Sequence, residues 1–152
     1  MSAYPPAGPV GPAGAGRGRR RPPGRAGTGG KEGVAPPGWP QAVPPPGVPG
    51  WERRAAAWLF DLCPPDHRGH DVLVRWPVLL ARAARESVEA GRAAAAHGMA
   101  TARAELRDVV PPEAVAAMLG MYEREGARLA ESARAVALVE QALRGERFAP
   151  RL

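Results

Sequence analysis

Two long proline-free stretches, separated by "VVPP" at 109–112, constrain this chain more than any other feature. In the first, Leu80, Ala84, Val88, Gly91, Ala95, Met99, Ala102, Leu106 and Val110 follow spacings of 4, 4, 3, 4, 4, 3, 4 and 4. Such a pattern repeats every eleven residues and keeps a seam on one face of a nearly straight or slightly right-handed helix pair. In the second, Val115, Tyr122, Leu129, Val136 and Leu143 lie seven apart, with Leu119, Gly126 and Ala133 between them. That is a heptad-type seam of the coiled-coil kind. Pro77 suits the first position of a helix, where the missing N–H would have had no partner anyway. Pro111 and Pro112 end one helix and restart the next, with Glu113 complementing the positive end of the dipole. Gly145 fits a C-cap.

Two helices of this length joined by so short a break must run antiparallel, as a hairpin of about 45–50 Å at 1.5 Å per residue. Pairing outward from the break sets Leu106 near Val115, Met99 near Tyr122, and Gly91 and Ala95 near Leu129. Large side chains then meet small ones across the seam.

A shorter helix precedes the hairpin. In "WERRAAAWLFDL" the residues Trp51, Ala55, Trp58, Leu59 and Leu62 share one face, and Pro64-Pro65 stops it by removing backbone donors and forcing Cys63 out of the helical region. Asp71 can cap a short turn through "VLVRW". The short connection to Pro77 obliges this helix to dock at the base of the hairpin. There Trp51, Trp58, Phe60, Trp76 and Phe148 would form an aromatic base. The predicted fold is all-α: a long antiparallel helical hairpin with a short N-terminal helix packed at its base. The helices run over about 51–62, 77–109 and 112–144.

The first fifty residues differ in texture. Gly and Pro supply 26 of them, well above the roughly 25–30% at which a nonperiodic segment reads as disordered. So few apolar side chains cannot offset the entropy of ordering the chain. The division expected is a disordered Pro/Gly/Arg-rich tail over 1–50 and an α-helical domain over 51–152.

Charge follows the same boundary. The formal charge is +6, and Arg17, Arg19, Arg20, Arg21, Arg25 and Lys31 against Glu32 put +5 of it in the tail, leaving +1 for the rest. Attraction to polyanions is therefore a property of the tail. Its run "GRGRRRPPGR" resembles the minor-groove AT-hook, whose core is Arg-Gly-Arg-Pro, at Arg17, Gly18 and Arg19. It departs from that pattern where Arg20 and Arg21 stand in place of the immediate proline. The arginines themselves, Arg17, Arg19, Arg20, Arg21 and Arg25, would still attract nucleic acid through counterion release without sequence preference; the alternative is a tail that only confers solubility.

The basic side chains are twenty Arg and one Lys, and neither Ile nor Asn occurs, as codon pressure in a GC-rich genome produces. In this the sequence resembles the small, uncharacterised helical proteins of high-GC actinobacteria, a resemblance that brings no known activity with it.

Residues 63–70, "CPPDHRGH", hold the lone cysteine and two of three histidines. Cys63, His67 and His70 are candidate metal ligands at C-x3-H-x2-H spacing. A structural zinc site takes four ligands from paired motifs, however, and no second pair exists. The favoured reading is a bend between helices in which Cys63 acts as a small apolar residue, and no metal or cofactor is expected.

Enzymatic constellations are close to absent. The three serines (Ser2, Ser87, Ser132) stand in no nucleophile context, and no Glu-x-x-His pair marks a di-iron bundle. Glu86, Glu89, Glu123 and Glu125 lie beside Arg85, Arg92, Arg124 and Arg128 as paired, solvated helix faces. No run approaches the ~18 apolar residues of a membrane span, nor is there a signal-peptide core. A single cysteine suits a reducing compartment, so a cytoplasmic, membrane-free protein is expected. The function expected is a non-enzymatic helical protein–protein interaction module. Its partner would be a second copy in a homodimer, covering Ala81, Ala83, Ala90, Ala94, Ala100 and Ala104, or another helical protein. The alternative is a nucleic-acid-associated protein that binds through its basic arm.

Overall fold

The computed structural model describes residues 33–146. Within them the order is α1 (Trp51–Asp61), a 3-10 turn (Pro65–Gly69), α2 (Asp71–Arg75), α3 (Pro77–Leu106) and α4 (Pro112–Leu143). No strand occurs among the described residues. Helices α3 and α4 pack along each other as an antiparallel hairpin, and α1 lies at its base against both.

Proline opens both long helices at the first position. Helix α4 closes with the residue pair expected of a glycine cap: Gly145 takes φ 82°, its N–H donates to Ala142 O, and the Glu146 N–H donates to Gln141 O. Those two bonds occupy carbonyls that the helix end would otherwise leave orphaned. Helix α3 stops at Leu106, short of the expected 109. The Val109 and Val110 N–H groups both donate to Leu106 O, so the last turn tightens as the chain prepares for Pro111, which disfavours helical geometry in its predecessor.

The seams lie where the spacings place them. Leu80, Ala84, Val88, Ala95 and Ala102 of α3 are buried, as are Val115, Leu129 and Val136 of α4. A Cβ on Gly91 would stand 3.0 Å from Leu129 Cδ1, which realises the expected pairing of small with large. The Tyr122 ring lies over Gly98, where a Cβ would meet its Cε2 at 2.6 Å. Met99 therefore stands one position off the closest contact and is 45% exposed.

The main core sits at the base, where Ala55, Leu59 and Cys63 meet Leu80, Ala81, Ala84, Val136 and Val139. Leu59, Leu80, Val136 and Val139 are fully buried, each contributing about 1.5–3 kcal/mol relative to exposure. Trp51, Trp58 and Phe60 pack against this cluster as expected. Trp76 does not: it is 58% exposed, because it forms the junction between α2 and α3, with its N–H donated to Val72 O and its ring left outside. Phe148 lies outside the described residues.

The boundary at residue 50 requires correction. Residues 33–50 form a chain of tight turns laid over the base, and Val43 is 3% exposed within the core. The Trp39 Nε1–H donates to Val43 O at 2.8 Å, and the ring meets Trp51 at 6.2 Å between centroids. At Gly38, with φ 86°, an added Cβ would stand 3.6 Å from Leu138 Cδ1, so the strap runs close to α4. Counting apolar residues undervalued the segment for two reasons. A few residues carry the burial, Pro36, Pro40 and Val43 with Trp39 half-buried beside them, and its many prolines have little unfolded-state entropy to lose.

Candidate functional site

Cys63, His67 and His70 part company in the structure. Cys63 follows the C-cap of α1 and points into the core. Burial pushes its thiol pKa up, opposed by a hydrogen bond with Ser87 and the nearby Arg68 charge. His67 lies in the 3-10 turn with Nδ1 shielded and without a hydrogen-bond partner, whereas His70 is exposed. Their rings stand 6.0 Å apart. Among the described residues no three of His, Cys, Asp and Glu are placed to hold a metal ion. The bend is held by backbone bonds, His67 N–H to Pro64 O and His70 N–H to His67 O. Arg68 reinforces it, reaching Asp61 Oδ1 at 2.5 Å and lying 5.5 Å over the Phe60 ring. Arg17, Arg19, Arg20, Arg21 and Arg25 lie outside the described residues.

Concave surface lies elsewhere, along one flank of the hairpin. On α3, Glu89, Arg92, Ala96, Met99, Arg103 and Arg107 recur at three or four residues, and Pro112, Ala116, Leu119, Glu123 and Gly126 do so on α4. Between these two stripes run two adjoining grooves of about 490 Å3 and 610 Å3. Val115 and Tyr122 form part of the floor. Helix α1 cannot cover this flank. Just beyond its end Cys63 hydrogen-bonds with Ser87 of α3, and Ala83 packs against the core that α1 shares; these stand nine residues from Arg92 and Ala96, half a turn round the helix at 100° per residue.

The groove is electrically uneven. At the hairpin tip Arg103 and Arg107 rim a floor of Ala104, Pro112, Val115, Ala116 and Leu119, with no carboxylate in the lining. Arg107 approaches the neighbouring Asp108 at 3.4 Å, and Arg103 makes no ion pair among the described residues. Farther from the tip, Glu89 is already engaged by Arg92 at 3.1 Å.

Towards the base the same flank ends in an ion triad. Glu140 on α4 is 5% exposed. Its Oε2 accepts from Arg85 at 3.1 Å and its Oε1 from Arg144 at 2.7 Å. Each carboxylate oxygen thus has a guanidinium partner, which a buried carboxylate requires. The sequence reading passed over Glu140, although a lone charge at a seam-facing position in "VALVEQAL" was the available signal. It also missed the groove, because one helix at a time cannot show what a neighbour leaves uncovered.

The alanines expected to form one second stripe are divided. Ala81 is buried and Ala83 half-buried at the base, Ala104 lines the groove, and Ala90, Ala94 and Ala100 are exposed elsewhere. Gly91 and Gly98 serve the packing of α3 on α4. No helix among the described residues is long and apolar enough to cross a membrane.

Fold and surface together define an all-α helical hairpin protein with an open inter-helix groove. The chain matches no known protein family, no curated protein and no solved structure.

Proposed function

We propose that this protein is a non-enzymatic helical interaction module of the cytoplasm, which engages a helical protein partner along the open flank of its hairpin. The observation that carries the reading is the open flank of the hairpin, where one groove lies beside Met99 and a second follows at the tip. Its apolar floor is left uncovered over the distal hairpin, while the base carries a full core. Methionine is the side chain best able to repack against a partner, and an amphipathic helix laid into an apolar groove is a recurring recognition mode.

Ala96 and Ala116 are exposed in the groove, so Ala96→Glu and Ala116→Glu charge it without touching the core. Full-length protein should retain a helical partner, whether a second copy or another protein, that both variants lose. Ala94→Glu, on an exposed position off the groove, should retain it. Partner capture indifferent to both groove variants would defeat the reading. Light scattering across a concentration series identifies the self-partnered case.

Nucleic-acid binding through the arm is the second reading, supported by the +5 charge of residues 1–50. It predicts a salt-steep affinity that vanishes when the five tail arginines are replaced by Ser.

A further inference from the structure

Resting on the docking reading, we infer that the occupant of the groove is an acidic amphipathic helix of a different protein rather than a second copy of this chain. Length, surface chemistry and charge all bear on the choice. From Glu89 to Arg107 the α3 stripe covers nineteen positions, about 27 Å, which a helix of about 18 residues spans. The floor at the tip is apolar, and its rim carries two guanidinium groups one turn apart, Arg103 and Arg107, with no acid in the lining. An occupant with an apolar stripe and carboxylates beside it matches both features. Arg103, unpaired among the described residues, and Arg107, held only by an exposed neighbour, can turn to an incoming carboxylate and donate to it bidentately.

A second copy fits poorly. Symmetric groove-to-groove pairing with antiparallel hairpins, centred on residue 98 midway between Glu89 and Arg107, sets Arg92 of one copy against position 104 of the other. That position lies between Arg103 and Arg107. Of the two carboxylates in the groove, Glu89 already serves Arg92, and Glu123 lies on α4 in the other half of the groove, away from the arginines of the tip. Parallel pairing is worse, since it stacks the two cationic tips.

The test uses full-length protein and two fluorescent helical peptides of about 18 residues. They share one Leu/Ala stripe, and their remaining positions are Glu in one and Lys in the other. Anisotropy titration should show the Glu peptide binding at least about tenfold more tightly than the Lys peptide, a difference of about 1.4 kcal/mol. Arg103→Glu/Arg107→Glu should reverse that order, and Ala116→Glu should remove binding of the Glu peptide. Equal binding of the two peptides would overturn the inference. So would a preference that survives Arg103→Glu/Arg107→Glu yet disappears when Arg17, Arg19, Arg20, Arg21 and Arg25 become Ser, because the tail would then be the acceptor. A groove-dependent homodimer that binds neither peptide would overturn the acidic partner and leave the docking reading standing. Loss of every groove-dependent partner would sink both.

Discussion

Two glycines in the interior of the hairpin offer a comparison in which the same substitution should act with opposite sign. Replacing glycine by alanine inside a helix stabilises it by about 1 kcal/mol through propensity alone. At Gly126 nothing lies within 4 Å of an added Cβ, so Gly126→Ala should gain that full amount. At Gly98 the added Cβ would lie 2.6 and 2.7 Å from Cε2 and Cε1 of Tyr122, far inside van der Waals contact. Either the helices part or the ring swings out, and overpacking of this kind costs about 1–3 kcal/mol. Taking about 2 kcal/mol for that cost leaves Gly98→Ala destabilised by about 1 kcal/mol. The two variants should then differ by about 2 kcal/mol, or roughly 8–16 °C in Tm for a domain of about 100 residues. Thermal and urea unfolding of the full-length variants, followed by far-UV circular dichroism, measures this directly. In a Tyr122→Ala background the clash disappears and Gly98→Ala should become stabilising, a coupling that a double-mutant cycle isolates. Gly98→Ala raising Tm as much as Gly126→Ala in the parent protein would refute the close packing of α3 on α4 at this level.

Three further outcomes follow from the base. Val43→Ala removes two buried methyl groups and should cost about 2 kcal/mol; an unchanged urea midpoint would show that the strap over 33–50 carries no stability. Glu140→Gln leaves Arg85 and Arg144 without their shared carboxylate and should destabilise by about 1–3 kcal/mol, whereas Glu86→Gln, an exposed pair with Arg82, should fall within about 0.5 kcal/mol of the parent. Because burial holds the Cys63 thiol above its ordinary pKa, the folded state keeps its proton longer than the unfolded state. Its contribution is intact below the thiol's ordinary pKa and is lost as pH rises through the raised one. Cys63→Ala should flatten that alkaline decline, and native Cys63 should react with a thiol reagent far more slowly than in urea; equal rates in both would place it at the surface.

The hairpin was legible because its signals are local and repetitive. Proline positions set the starts of α3 and α4, Gly145 set the stop of α4, and the spacings chose the faces that bury Val88, Ala95, Leu129 and Val136. The strap over 33–50 was illegible by composition, since burial of Trp39 and Val43 depends on a surface that α1 and α4 create only after they have packed. Trp76 misled for the reciprocal reason: an aromatic side chain signals the capacity for burial, while the direction in which it leaves a helix junction decides whether burial occurs.

What the sequence determined by itself was the all-α class, the antiparallel turn at 109–112 and the residues of the seam, because backbone donors, proline geometry and helical periodicity act within a few residues of one another. Tertiary structure alone decided which flank remains open. Helix α1 and the strap cover one side of the base, the Arg85–Glu140–Arg144 triad closes the other side there, and Arg103 and Arg107 are left beside an apolar groove at the tip. Those relations join residues far apart in the chain, 55 positions in the case of Arg85 and Glu140. No local pattern encodes them, since they arise from the mutual exclusion of packed surfaces and from the demand that a buried carboxylate find its partners.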